Sequence, residues 1–130
     1  MRNITAGSIM NIKYKSGYKY QLVEDYSIAC SIPGTYKISR YVLLENGVLT
    51  VYSGYAWDGA SGPTIDTENS MRASLVHDAL YQLMREGNLA KSYRIVADEM
   101  LHSLLLEDGM SWIRAWYWYR GVRMFGGNFS

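Results

Sequence analysis

His77, Asp78 and Tyr81 stand within five residues of one another, and Asp98 follows His77 by 21 residues. An imidazole that faces a carboxylate is fixed in one tautomer and supported as a base, which is what general-base chemistry requires. Asp78, beside the glycine-broken loop Asp58-Gly59-Ala60-Ser61-Gly62, adds a second kind of chemistry. Loop carbonyls plus one carboxylate make a site for a hard cation. Gly59 precedes His77 by 18 residues, so loop, base and carboxylates fall in one short block.

Two neighbouring helices have to position these groups. Met71, Leu75, Asp78 or Ala79, and Gln82 mark one line of a helix over 68–86, with Asp66 or Thr67 as N-cap and Gly87 as stop. His77 and Tyr81 share a face of it, and Asp78 is turned from His77 by about 100° toward the loop. A second helix over 92–106 has Ile95, Val96, Met100, Leu101, Leu104 and Leu105 as its buried stripe and puts Arg94 and Asp98 on one face. The short connection favours antiparallel packing, which brings Asp98 toward His77. His102, four residues after Asp98, is an alternative partner for that carboxylate.

The first 57 residues read differently. Over 10–30, Ile12, Tyr14, Tyr18, Tyr20, Leu22 and Tyr26 interleave with polar groups, with breaks at Ser16-Gly17 and Glu24-Asp25. Period-two alternation of aromatic and β-branched residues predicts short antiparallel strands. Ile32-Pro33-Gly34 is a turn. Glu45-Asn46-Gly47 between two apolar runs is a hairpin. The fold class is therefore α+β, an N-terminal antiparallel sheet of short strands followed by three helices.

At 130 residues the chain fits one domain, 1–130, and no linker-like run divides it. Cys30 is the one cysteine, so an intramolecular disulfide and a thiolate metal cluster within one chain are excluded; it reads as a buried apolar group. The N-terminus lacks the apolar core of a signal peptide and no apolar run is long enough to span a bilayer, so the expectation is a protein that is not exported by the usual route. A net charge of +1 argues against general nucleic-acid binding. The charge is uneven: +3 over 1–57, −5 over 58–108 and +3 over 109–130. The acidic block is the one that holds the loop and the His-Asp pair.

Two resemblances attach to these residues. The order WDGASGP, then R-x-S-L-V-H-D-A-L-Y, then R-x-x-A-D, then Y-R-G-V-R-M-F-G resembles a family of small phage and prophage proteins of unknown function. That resemblance implies a phage origin, a place in the host cytoplasm or the virion, and other phage proteins as partners. The glycine loop, His-Asp-x-x-Tyr and the later Ala-Asp are locally similar to the secreted and parvoviral-capsid phospholipases A2. Carried over residue by residue, that similarity implies His77 as the base that activates water and Asp98 as its orienting partner, with Tyr81 beside them. It also implies Asp78 as the Ca²⁺ carboxylate and Gly59 with the neighbouring loop backbone, Asp58 to Ser61, as carbonyl ligands. The function expected is then a metal-assisted ester hydrolase. The alternative is a non-enzymatic virion or accessory protein that works by binding.

Each assignment has a structural counterpart. His77 and Asp98 make a satisfied interior pair in any fold that buries them together. Asp78 can bond Arg94 or Arg72, Asp58-Gly59 can serve as the turn from sheet to helix, and Tyr81 can be a packing residue. The third helix, over 111–124, is aromatic on nearly every side. Trp112, Trp116, Tyr119 and Arg123 follow one line of it, so part of this surface faces outward, toward a partner protein or an anionic lipid surface.

Overall fold

The alternation of buried and open side chains organises the first half of the chain. The computed structural model describes residues 12–15, 20–39, 41–58 and 68–128. It divides them between two compact units that meet in sequence at Asp58, Met1–Asp58 and Gly59–Ser130. In the first, strands β1 (Tyr14–Lys15), β2 (Tyr20–Leu22) and β7 (Ala56–Trp57) form one antiparallel sheet in the order β1-β2-β7. Strands β3 (Tyr26–Ala29), β4 (Thr35–Ser39), β5 (Val42–Glu45) and β6 (Val48–Val51) form a second, in the order β3-β6-β5-β4. Register lines up Tyr26, Val51 and Val42 in one row and Ile28, Leu49 and Leu44 in the next. All six are buried, which is the period-two pattern realised on one face. On the opposite face Ser27 and Thr50 pair through their hydroxyls at 2.9 Å.

The antiparallel short strands expected from the sequence are present, and they divide into two small sheets because both chain runs turn the same corner. At Val23–Asp25 the ladder stops, and the Ser53 backbone N–H donates to the Asp25 carboxylate at 2.7 Å while the Ser53 hydroxyl donates to the Val23 carbonyl at 3.0 Å. Gly54 completes the corner with φ of +102°, and a Cβ there would lie 2.9 Å from the Tyr41 ring, so both dihedral and space call for glycine. The Asn46-Gly47 hairpin joins β5 to β6 with φ of +51° and +78°, the two positive values such a two-residue turn needs.

The second unit is helical: α1 (Glu68–Arg85), a 3₁₀ turn (Lys91–Tyr93), α2 (Arg94–Glu107), α3 (Trp112–Phe125) and a closing 3₁₀ turn (Gly126–Asn128). The proposed N-caps of α1, Asp66 and Thr67, lie outside the described residues. Its stop is Gly87, at φ of +77°, with the Asn88 N–H returning to the Leu83 carbonyl. Gly109 ends α2 in the same way, and the Ser111 hydroxyl then caps α3 by accepting from the Arg114 N–H. The short turns make α1, α2 and α3 successive antiparallel neighbours. α1 is the inner element, buried at every position over 70–76. The stripe expected on α2 is only partly the buried one: Leu101, Leu104 and Leu105 are buried, but Ile95 is exposed and Val96 and Met100 are half-exposed. Ala97 and Asp98 take their place. A helix gripped from two sides is not oriented by hydrophobicity alone, and here a carboxylate with several donors around it sets the rotation.

Candidate functional site

Asp98 is completely buried, 0 % exposed, in the second turn of α2. A charge in that position needs donors, and three helices supply them. From α1, the four-residue spacing of His77 and Tyr81 brings their rings together, tilted by 38° with centroids 4.0 Å apart, and directs both to one oxygen. His77 Nε2 lies 2.7 Å and the Tyr81 hydroxyl 2.6 Å from Asp98 Oδ1. The other oxygen, Oδ2, accepts from Arg123 Nη1 of α3 at 2.8 Å, and Arg94 Nη1, one turn back on α2, stands 3.6 Å away. Arg94 also donates to the carbonyls of Val122 at 3.0 Å and Arg123 at 3.3 Å, placing a cation at the C-terminal end of α3.

The electrostatics follow from these bonds. Burial pushes the Asp98 carboxyl up, but hydrogen bonds from His77 and Tyr81, the nearby imidazole and the bond from Arg123 outweigh it and hold the group below its ordinary value. Tyr81 is driven the other way, first by burial and then by its bond to Asp98, so its phenol keeps its proton and remains a donor. An ionised carboxylate only accepts, so the nitrogen that faces it, Nε2 of His77, carries the imidazole proton. Nδ1 is then the basic nitrogen. Among the described residues the ring makes no second hydrogen bond, and 14 % of the side chain is exposed.

Gly126 is part of this arrangement through what it lacks. A Cβ at that position would fall 2.3 Å from the Tyr81 hydroxyl and 3.1 Å from Arg94 Nη1. Gly126→Ala is therefore expected to push Tyr81 away from Asp98 and to cost about 1–3 kcal/mol, as overpacked sites do. Thermal unfolding followed by circular dichroism checks it, with Gly127→Ala as control, since the nearest atom to a Cβ there is 3.9 Å away.

The other residues singled out in the sequence lie as follows. His102 stacks on Tyr119 at 5.1 Å, so the partner of Asp98 is His77. Asp78 is half-buried and engaged. Arg72, one of the residues considered as its partner, is buried and bonded to Asp108 at 2.8 and 3.0 Å and to Glu107. Asp58 is exposed at the end of the sheet unit, and Gly59 and Ser61 lie outside the described residues. A calcium ion takes six to eight oxygens. Among the described residues no group of three or more His, Cys, Asp or Glu side chains is placed to hold a metal, and the loop backbone around Gly59 expected to supply carbonyls lies outside the described residues. Cys30 is buried, and burial raises its thiol. Trp112 and Trp116 face outward, Tyr119 is half-buried against His102, and Arg123 turns inward to Asp98 instead of joining the outer face. Sequence reasoning missed Arg123 and Gly126 as parts of the site. One signal was present: α3 carries three arginines and no acid, so an arginine on it finds an anion only on another element.

Residues 36–122 match the model of a family described as a protein of unknown function (DUF1353). The matched span contains His77, Tyr81, Arg94 and Asp98. No curated protein and no solved structure matches the chain.

Proposed function

Because the chain belongs to the DUF1353 family, whose description names no activity, we propose its function from its own chemistry: general-base hydrolysis of an ester, a phospholipid being the substrate class most in keeping with the motif, with His77 as base. The observation that carries this reading is the 2.7 Å bond between His77 Nε2 and a fully buried, ionised Asp98. In the step, Nδ1 takes a proton from water as the water oxygen attacks the ester carbonyl carbon. The imidazolium so formed is stabilised by Asp98, whose charge is held in place by Tyr81 and Arg123. The tetrahedral species then collapses, the bond from carbon to the alkoxy oxygen breaks, and the proton passes from Nδ1 to the leaving alkoxide. The products are an acid and an alcohol. Tyr81 acts here as a positioning residue for the carboxylate.

The test is turnover by the purified chain on a panel of soluble and lipid esters, with and without added calcium. Hydrolysis of any member supports the reading. A rise with calcium that Asp78→Asn removes would add a cation held by Asp78. No turnover on any ester in either condition overturns it.

A second reading has an observation of its own. Asp98 is bonded from α1 and α3 while belonging to α2, so it pins three helices whatever the chemistry of His77. On that reading the protein is a phage accessory or virion component that acts by binding, and His77 is one donor to a structural carboxylate.

A further inference from the structure

Burial stops short of the end of α3. Ala115 and Trp118 are its buried residues, and beyond Trp118 none is: Tyr119, Gly121, Val122 and Arg123 are half-buried, while Arg120, Met124 and Phe125 are exposed, the last two at 65 % and 56 %. What holds this end down is mainly polar. Arg94 of α2 donates from Nη1 to the Val122 carbonyl at 3.0 Å and from Nη2 to the Arg123 carbonyl at 3.3 Å, in the turn where a helix runs short of its own donors. Arg123 Nη1 reaches Asp98 Oδ2 at 2.8 Å. Gly126, in the closing 3₁₀ turn, is buried again, and its backbone seats against the Tyr81 hydroxyl and Arg94 Nη1 at distances that no Cβ would allow.

We infer that residues 122–128 form a latch on the Asp98 site, which opens as a local unit while α1, α2 and the first half of α3 stay folded, with Arg94 as the group that keeps it closed. Local opening costs least where few apolar groups are buried and hydrogen bonds are partly open to water, and both conditions meet here. The side chains of Arg94 and Arg123 are 21 % and 30 % exposed, so water can take over their bonds as they break. Opening carries Arg123 off Oδ2 and the Gly126 backbone off the Tyr81 hydroxyl. Asp98 is not orphaned by this. His77 and Tyr81 still serve Oδ1, and Arg94, released from the two carbonyls, stands 3.6 Å from Oδ2 on the same helix, four residues back. The consequence for the site rests on the general-base reading: closed, the latch fixes both oxygens of the carboxylate that orients His77, and open, it leaves Oδ2 to Arg94 alone. The latch itself does not depend on that reading.

The experiment is amide hydrogen exchange on the full chain under native conditions, with no turnover measured, so its outcome is separate from that of the ester panel. In the parent, amides over 122–126 should exchange about ten-fold or more faster than those of α1 over 73–81, yet more slowly than an unstructured chain. Urea below the unfolding transition should speed the α1 amides and leave those over 122–126 nearly unchanged, because a local opening exposes little new surface. Arg94→Gln should speed exchange over 122–126 by about ten-fold or more, the worth of bonds from a charged donor. Gly126→Ala opens the latch by crowding, without removing a charge, and should speed the same amides, whereas Gly127→Ala should not. Should Arg94→Gln fail to fold, Gly126→Ala takes its place. Urea that speeds both groups of amides alike overturns the inference, since the end of α3 would then open only with the whole unit. Exchange over 122–126 at the unstructured rate in the parent overturns it too, as a frayed end is no latch, and so do folded variants that exchange there as the parent does.

Discussion

Replacing His77 by alanine is expected to slow ester hydrolysis by about 10²–10⁴-fold, the usual worth of a positioned general base, while the helical unit stays folded. The two halves of that expectation come from different bonds. In the proposed hydrolysis the proton transfer runs through Nδ1, and the substitution removes it outright. Stability depends mainly on Asp98, which after the substitution still accepts from Tyr81 at 2.6 Å and from Arg123 at 2.8 Å. A carboxylate with donors on both oxygens remains satisfied, so the cost to folding is that of one hydrogen bond and a partly exposed ring, about 1–2 kcal/mol. Turnover and thermal unfolding measured on the same preparation separate the two. A variant that unfolds to the extent that it loses activity would make His77 a structural donor, and a folded variant with parental turnover would remove it from the chemistry.

Asp98→Ala is expected to have the opposite balance, a loss of about 3–5 kcal/mol of stability, the range for breaking a buried pair from one side. It leaves the Tyr81 hydroxyl, His77 Nε2 and Arg123 Nη1 without the acceptor that the fold built for them. Arg94 suffers less, because the Val122 and Arg123 carbonyls still hold it. The same carboxylate makes the stability depend on pH, with a definite sign. In the folded chain its pKa is lowered; burial opposes the shift, and the bonds from His77, Tyr81 and Arg123 exceed it. Unfolded, it returns to about 3.9. Above that value both states are ionised and the full contribution is present. As pH falls through the lowered folded value the carboxylate is protonated and the contribution is lost. Denaturant midpoints of the parent should therefore fall on acidification below about pH 4. In Asp98→Asn that acid limb should be shallower, because the group that titrates is gone. Parallel acid limbs in the two proteins would assign the effect to other carboxylates.

Much of this molecule was legible in single stretches of sequence, because the signals there are local. Asn46-Gly47 specifies its turn by backbone sterics alone, and the pattern of buried positions in β3, β5 and β6 follows from the period of a strand. The helix ends at Gly87 and Gly109 follow from the left-handed conformation that glycine takes at no steric cost. His77 and Tyr81 share a face because a helix returns to the same side after four residues, and they do so whatever surrounds them. What lies between elements was decided only by packing. Periodicity says that two helices touch along certain faces, but the choice between His77 and His102 for Asp98 turns on how far one helix slides and rotates against the next. The rotation of α2 put Asp98 inside and Ile95 outside, against their hydrophobicity, because donors from α1 and α3 converge there. Arg123 was drawn inward for the same reason. At Gly126 the 2.3 Å that a Cβ would leave to the Tyr81 hydroxyl belongs to the close approach of two elements 45 residues apart, which no local pattern records.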